Sequence, residues 1–404
     1  MNLFPNRHAG KSRPYSRHET EIFDRAKASS AHALIASFPG YAVTPLHALR
    51  DLASELGLGS IQIKDESGSF GLGSFKALGG AYAVFLLVQK AVSAAMQRQA
   101  GVEDMKSAAW HEVAAGITVV CATDGNHGRS VAAGAAAAGC RCVIFLHRHV
   151  SPVREQAIRD QGADIVHVDG NYDDAVAEAD RTSARMGWHV VSDTSYEGYV
   201  RVPSDIMHGY AVMMEEIYAQ TGAPAPDAAR QPFTHVFLQA GVGGMAAAVA
   251  ASLWQALGEA RPTIVVVEPE AADCLYQSAR AGLPAPASGD IDSTAMAMLA
   301  CGEPSILAWE LLKTVGDFFM TIPDAPAIEA MRRLALRKDG PPIVCGESGA
   351  AGLAGLLAAC ANTGARLTLG LGPDSRVLVF GTEGATDPGR YRELTGLDPA
   401  QLLV

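Results

Sequence analysis

One lysine stands among glycines, serines and phenylalanines in GSFGLGSFKALGGAY (68–82), with no acidic residue between Glu66 and Glu103. This residue, Lys76, opens a long apolar helical pattern, KALGGAYAVFLLVQKAV, whose continuation reads as buried. A buried ammonium without a partner is costly, so such a lysine is expected to shift towards the neutral amine. A neutral amine in a pocket is a nucleophile towards carbonyls, the aldehyde of a bound cofactor included. The plain alternative is a lysine at a helix start whose stem covers apolar surface while its head reaches water.

Four further stretches carry chemistry. THVFLQAGVGGMAAAVAASLW (234–254) reads as strand, glycine turn and helix start, with glycines at 241, 243 and 244. Backbone N–H groups at such a turn can converge on a phosphate at the helix N-terminus. The same loop fits GxGxxA with Ala246 last, and Glu268 ends the next strand. A dinucleotide site would place its ribose-binding acid there, so NAD chemistry competes at this point. ATDGNHGRSVA (122–132) follows a strand and opens a helix; Asn126 can bond a ring hydroxyl or a carboxylate, or simply belong to a capping turn. VVSDTSYEGY places Asp193 at another strand end, as a carboxylate ligand or a loop cap. VFGTEGATDPG (379–389) closes the last strand with Thr382, Glu383 and Thr386, polar groups suited to a heterocycle nitrogen or to an ordinary turn.

These residues need elements to hold them. Short β-branched runs, TVVCA, RCVIFLH, ADIVHVD and WHVVSD, alternate with helical patterns between 118 and 193, the rhythm of a parallel sheet. A second set, THVFLQA, TIVVVEP (263–269) and RVLVFGT (376–382), is joined by the early strand IQIKDE (61–66). The expected fold is α/β: two doubly wound domains with mainly parallel sheets, the smaller inserted in the larger. Residues 1–80 form an N-terminal arm and the first part of the large domain, 81–200 the small domain, and 201–404 the remainder of the large one. In such sheets ligands bind at the carboxyl ends of strands, where the four stretches cluster.

Bulk properties narrow the classes. With 49% hydrophobic and 19% charged residues, the 404-residue chain is an ordered globular protein. A net charge of −11 without a basic run argues against nucleic acid and anionic membranes as partners. The N-terminal residues show no apolar signal pattern, and the seven cysteines lack CxxC pairs, which points to reduced thiols in a cytoplasmic protein. HRH (147–149) lacks a third nearby ligand, so no metal is expected.

Taken in order, TPL at 44, SFK at 74, GNHG at 125, GVGG at 241 and GTEG at 381 resemble the fold type II pyridoxal-phosphate enzymes, the family of threonine dehydratase and tryptophan synthase β-subunit. They span residues 44 to 384. The resemblance implies pyridoxal 5'-phosphate as cofactor, bound covalently by Lys76, with Phe75 beside its ring. It implies that Gly241, Val242, Gly243, Gly244 and Met245 hold the phosphate and that Asn126 faces the phenolic oxygen. A hydroxyl of the 381–386 turn would meet the pyridine nitrogen, Thr382 ahead of Thr386. It also implies a homodimer.

Two departures refine this. Threonine dehydratases carry S-F-K-x-R-G and S-G-N-H, whereas this chain has Leu78 for the arginine and Asp124 for the serine. Aspartate before GNHG, with SDTSYEGY and GTEGATDPG, resembles the diaminopropionate ammonia-lyases. That resemblance implies elimination of 2,3-diaminopropionate to pyruvate and two ammonia; both D and L forms are expected as substrates, because Lys76 can serve as base for the L-form on one face and the Asp124 carboxylate for the D-form on the other. Asp193 would hold the substrate's side-chain amine. A threonine or serine dehydratase of the same fold, and more remotely an NAD-dependent oxidoreductase, are the alternatives.

Overall fold

The structure, a computed structural model, describes residues 1–404 apart from 124, 149, 223, 229 and 404, and apart from the side chain of residue 173. Eleven strands are described: β1 (Asn2–Pro5), β2 (Leu46–Ala48), β3 (Ser60–Asp65), β4 (Thr118–Ala122), β5 (Arg141–His147), β6 (Asp164–Val168), β7 (His189–Val190), β8 (His235–Gln239), β9 (Thr263–Pro269), β10 (Phe318–Ile322) and β11 (Arg376–Gly381). They build a seven-stranded sheet, β1-β10-β9-β8-β11-β3-β2, and a four-stranded sheet, β6-β5-β4-β7. The small sheet is parallel throughout. The large one is parallel except at its edges, where β1 pairs antiparallel with β10 and β2 with β3. Strands β3, β8, β9 and β11 coincide with the expected second set, and β3 does join that sheet. β1, β2 and β10 are additions: two are short edge strands, and FFMTI (318–322), as long as β8, runs into its helix without the glycine turn that marks β8. All four small-sheet strands fall between residues 118 and 190, and residue 80 lies inside helix Lys76–Met96.

That helix is, among the described residues, the one long and apolar enough to cross a membrane by length and composition. It is a core helix instead. Leu78, Val84, Phe85 and Val88 are buried in the main hydrophobic cluster, and Gly80 brings its backbone against Ser130 of helix Asn126–Ala138. Ser130 Oγ in turn donates to the Lys76 carbonyl at 2.7 Å. The start of the lysine helix is thereby pinned to the small-sheet unit.

The TPL segment has a structural role. Lys64, fully buried on β3, donates to Glu216 Oε2 at 2.5 Å and to Thr44 O at 2.7 Å. Thr44 Oγ1 donates towards Glu66 Oε1 at 2.5 Å, and Tyr41 OH to Glu216 Oε1 at 2.8 Å. Burial, with Lys64 opposing it, pushes the Glu66 carboxyl up to about 7. Removing the one cation leaves buried carboxylate uncompensated. Lys64→Met is therefore expected to cost about 3–5 kcal/mol of stability in urea denaturation, and adding Glu216→Gln should recover part of that loss.

Candidate active site

Lys76 reaches its position through the end of β11. Phe75 N–H donates to Thr382 O and Gly384 N–H to Gly73 O, both at 3.0 Å, and Ser74 bridges Glu383. The segment before the lysine thus runs antiparallel to the GTEG turn, and both face a cavity between the two sheets. This cavity encloses ≈ 870 Å³ of non-atom space, part of it open to solvent. It is lined by Phe75, Lys76, Asn126, Asp193, the loop 239–245 and Thr382, among others. Residues from five separate segments, chosen from the sequence, therefore share one space. Thr382 lines the cavity, whereas the methyl of Thr386 packs near Gly73. Asp124 lies outside the described residues, but its chain neighbours Thr123 and Gly125 are in the lining.

The expected neutral, isolated lysine is corrected. Lys76 Nζ donates to Asp193 Oδ2, a carboxylate 117 positions away. Burial pulls the lysine's pKa down, yet Asp193, with Tyr210, holds it above its ordinary value. Burial likewise works to raise Asp193, and Lys76 overrides it, keeping the carboxyl below the usual range. Pairing with the carboxylate thus favours the charged ammonium. Local sequence could not reveal the pair, because the carboxylate arrives from the loop after β7. Asp193 also accepts from Tyr210 OH at 3.4 Å, and the Tyr210 ring lies 4.7 Å from that of Phe75. The Lys76 ammonium sits 5.3 Å and 5.6 Å from the centroids of these two rings.

The glycine loop fits a phosphate. Ahead of the first helical bond, Ala247 N–H to Gly243 O at 2.9 Å, the N–H groups of residues 241–246 have no acceptor among the described residues. Such a run of donors at the start of helix Gly244–Leu257 is an anion cradle. Gly243 has φ +97°, and a Cβ there would meet Leu275 Cδ1 at 3.0 Å and Ala308 Cβ at 3.1 Å. Its glycine is required by backbone conformation and by the core behind the loop.

Glu268 does not serve a ribose. It is fully buried, and its two oxygens accept from Leu275 N–H (2.8 Å) and Tyr276 N–H (2.7 Å), capping helix Cys274–Ala281. The acid that made a dinucleotide site plausible is spent on a helix start.

Two lining residues of consequence escaped the sequence reading. Gln239, the polar end of the apolar strand β8, donates to Thr382 Oγ1 at 3.0 Å and to Phe380 O at 2.9 Å. With its oxygen accepting, the Thr382 hydroxyl keeps its own hydrogen for a ligand acceptor. Tyr210 lies in the helix Arg201–Tyr210, where nothing in the sequence marks it. His127 donates from Nε2 to Val191 O at 2.8 Å, and burial holds its pKa below the ordinary histidine value.

A lysine, an anion cradle and a hydroxyl donor around one cavity at the carboxyl ends of parallel strands define a pyridoxal-phosphate site. The sequence matches the family described as pyridoxal-phosphate dependent enzyme over residues 38–380, and the chain belongs to that family, within the branch of the diaminopropionate ammonia-lyases. It is 40% identical over 372 residues to diaminopropionate ammonia-lyase of Salmonella typhimurium, covering 88% of each chain. The solved structure of the Escherichia coli diaminopropionate ammonia-lyase in complex with D-serine superposes with a TM-score of 0.86 at 35% identity, covering 97% of this chain and 96% of that one. The same enzyme in complex with an aminoacrylate-PLP azomethine reaction intermediate gives 0.84 at 36% identity, with the same coverage. The protein is a pyridoxal-phosphate-dependent lyase that catalyses an elimination.

Proposed function

We propose that this enzyme eliminates ammonia from 2,3-diaminopropionate, accepting both enantiomers, and yields pyruvate and two ammonia after one water is taken up. The observation that carries this reading is the Lys76–Asp193 pair in a cavity walled by the unpaired N–H groups of 241–246. The relatives named above, with a D-amino acid in one of their structures, support the substrate class.

In this reading the N–H groups of 241–246 hold the cofactor phosphate, Thr382 Oγ1 donates to the ring nitrogen, and Asn126 faces the phenolic oxygen. Phe75 flanks the ring. Pyridoxal phosphate, when bound, supplies an electron sink that acidifies the substrate's Cα–H. Lys76 Nζ takes that proton from one face and Asp124 from the other. Asp193 balances the lysine while it is charged and is the carboxylate left for the substrate's cationic side-chain amine. Tyr210 and Phe75 exclude water from the lysine's side. The enzyme works as a homodimer, as the resemblance implies and sedimentation of the purified protein tests, and in the cytoplasm, the compartment that its cysteine usage suits.

The test is pyruvate release from purified protein given D- and L-diaminopropionate, D- and L-serine and L-threonine. The expected order puts both diaminopropionates first by kcat/KM. Threonine or serine turned over faster than either diaminopropionate would replace this reading with the dehydratase one.

A further inference from the structure

Beside the cavity, two buried carboxylates face one arginine. Glu383, just past β11, accepts from Asn126 Nδ2 at 2.6 Å through Oε2, and its Oε1 is buried without a hydrogen-bond partner among the described residues. Glu347 Oε1 accepts from Arg154 Nη2 at 3.2 Å. Asn126 opens helix Asn126–Ala138 and Arg154 lies on helix Pro152–Arg159, both in the small-sheet unit, so these bonds cross between the sheets. The stem of Arg154 packs on Gly125, where a Cβ would meet its Cδ at 3.3 Å. The groups around Glu383 are Glu347, Arg154, the Asn126 amide, the Gly349 N–H and the Cys345 thiol, with Asp387 acting on Arg154 from beyond.

We propose that Glu383 is a positioning residue whose protonation state sets which end of the Asn126 amide faces the cavity. The inference rests on the site reading above. An ionised Glu383 can only accept, so it draws the amide nitrogen to itself. A protonated Glu383 can donate its O–H to Asn126 Oδ1 instead, which requires the amide to turn over. Both amide hydrogens then face the cavity, where an anionic ligand oxygen can accept them. The distance of 2.6 Å suits either arrangement, since the oxygen and nitrogen of an amide exchange places without moving other atoms. Burial and the neighbouring Glu347 push the Glu383 carboxyl up to about 7, against Arg154 and Asn126, so both forms are accessible near neutral pH.

The test measures the cofactor's dissociation constant from the holoenzyme between pH 5.5 and 8.5, for wild type and Glu383→Gln. Titration of the phosphate and of Lys76 is common to both proteins, so the ratio of the two constants isolates Glu383. We expect wild-type affinity to fall about tenfold relative to Glu383→Gln as pH rises through about 7, the scale of one hydrogen bond. In an Asn126→Ala background, Glu383→Gln should leave the pH profile unchanged. A constant ratio, or an equal effect of Glu383→Gln with and without Asn126, overturns the inference.

A second measurement does not depend on the cofactor. The folded state holds the Glu383 proton to about pH 7, the ordinary glutamate only to 4.5. The contribution of Glu383 to stability is therefore full below the lower value and lost as pH rises through the higher one. The unfolding midpoint of cofactor-free wild type should drop relative to Glu383→Gln over that interval, and a pH-independent difference overturns the inference. Failure of the wild type to bind pyridoxal phosphate through Lys76 would sink the site reading, while the cofactor-free comparison still decides whether Glu383 changes protonation state in this range, which its positioning role requires.

Discussion

Lys76→Ala is expected to abolish turnover, lowering kcat by at least about 10⁴-fold, the upper end of what loss of a positioned base costs. The amine has no substitute at that spot. Among the described lining residues there is no second lysine, and Asp193, Tyr210 and Phe75, which surround Nζ, carry no amine that could replace it. The anion cradle of 241–246 is remote from this change in sequence and should still retain cofactor phosphate. The variant should therefore hold pyridoxal phosphate that dialyses away, and borohydride should fix no chromophore to the protein. The substitution also strips Asp193 of its cation. A buried carboxylate without that partner takes up a proton more readily, so its pKa should rise from its depressed value. Substantial turnover by Lys76→Ala without added amine would show that another group forms the bond to the cofactor.

Asp124→Asn should depress turnover of D-diaminopropionate by at least about a hundredfold, the usual scale of general-base loss, and that of the L-isomer much less. In the proposed arrangement Lys76 would take a proton only from its own face of the cofactor. A substrate of opposite configuration, held by the same carboxylate contacts, turns its Cα–H to the other face. The loop before GNHG supplies the nearest sequence candidate there, and Thr123 and Gly125 on either side of Asp124 line the cavity. A carboxylate is a far better base at neutral pH than the serine that stands at this point in related enzymes. Asparagine keeps the shape and removes the base. Steady-state kinetics on each enantiomer separate the cases, because equal losses on both would mean a shared role such as cofactor positioning.

The residues of this site were legible in the sequence because each sits where local grammar is strong. GVGG breaks an apolar strand from an apolar helix, and a glycine turn there needs a reason. GNHG and GTEG also follow β-branched runs, so strand ends could be located and their loops assigned to the carboxyl ends of parallel strands, which the structure places in two sheets. Alternation of strand and helix over 118–193 fixed the small sheet, since period-two and period-3.6 patterns are properties of neighbouring residues. The edge strands β1 and β2, four and three residues long, were not legible, because so few residues carry no periodic signal of their own.

Pairings between distant segments were decided only by the tertiary structure. Lys76 looked alone because its partner lies 117 residues along the chain, and folding brings an ammonium and a carboxylate together irrespective of sequence distance. Glu268 sat where a ribose-binding acid belongs, but the helix after β9 turns its unpaired N–H groups onto that carboxylate. Glu383 read as a polar turn until Asn126, from the other sheet, was found against it. Sequence specifies which groups are present and which loops carry them. Burial then removes water as a partner, so each polar group must take whichever complementary group the packing of the two sheets delivers.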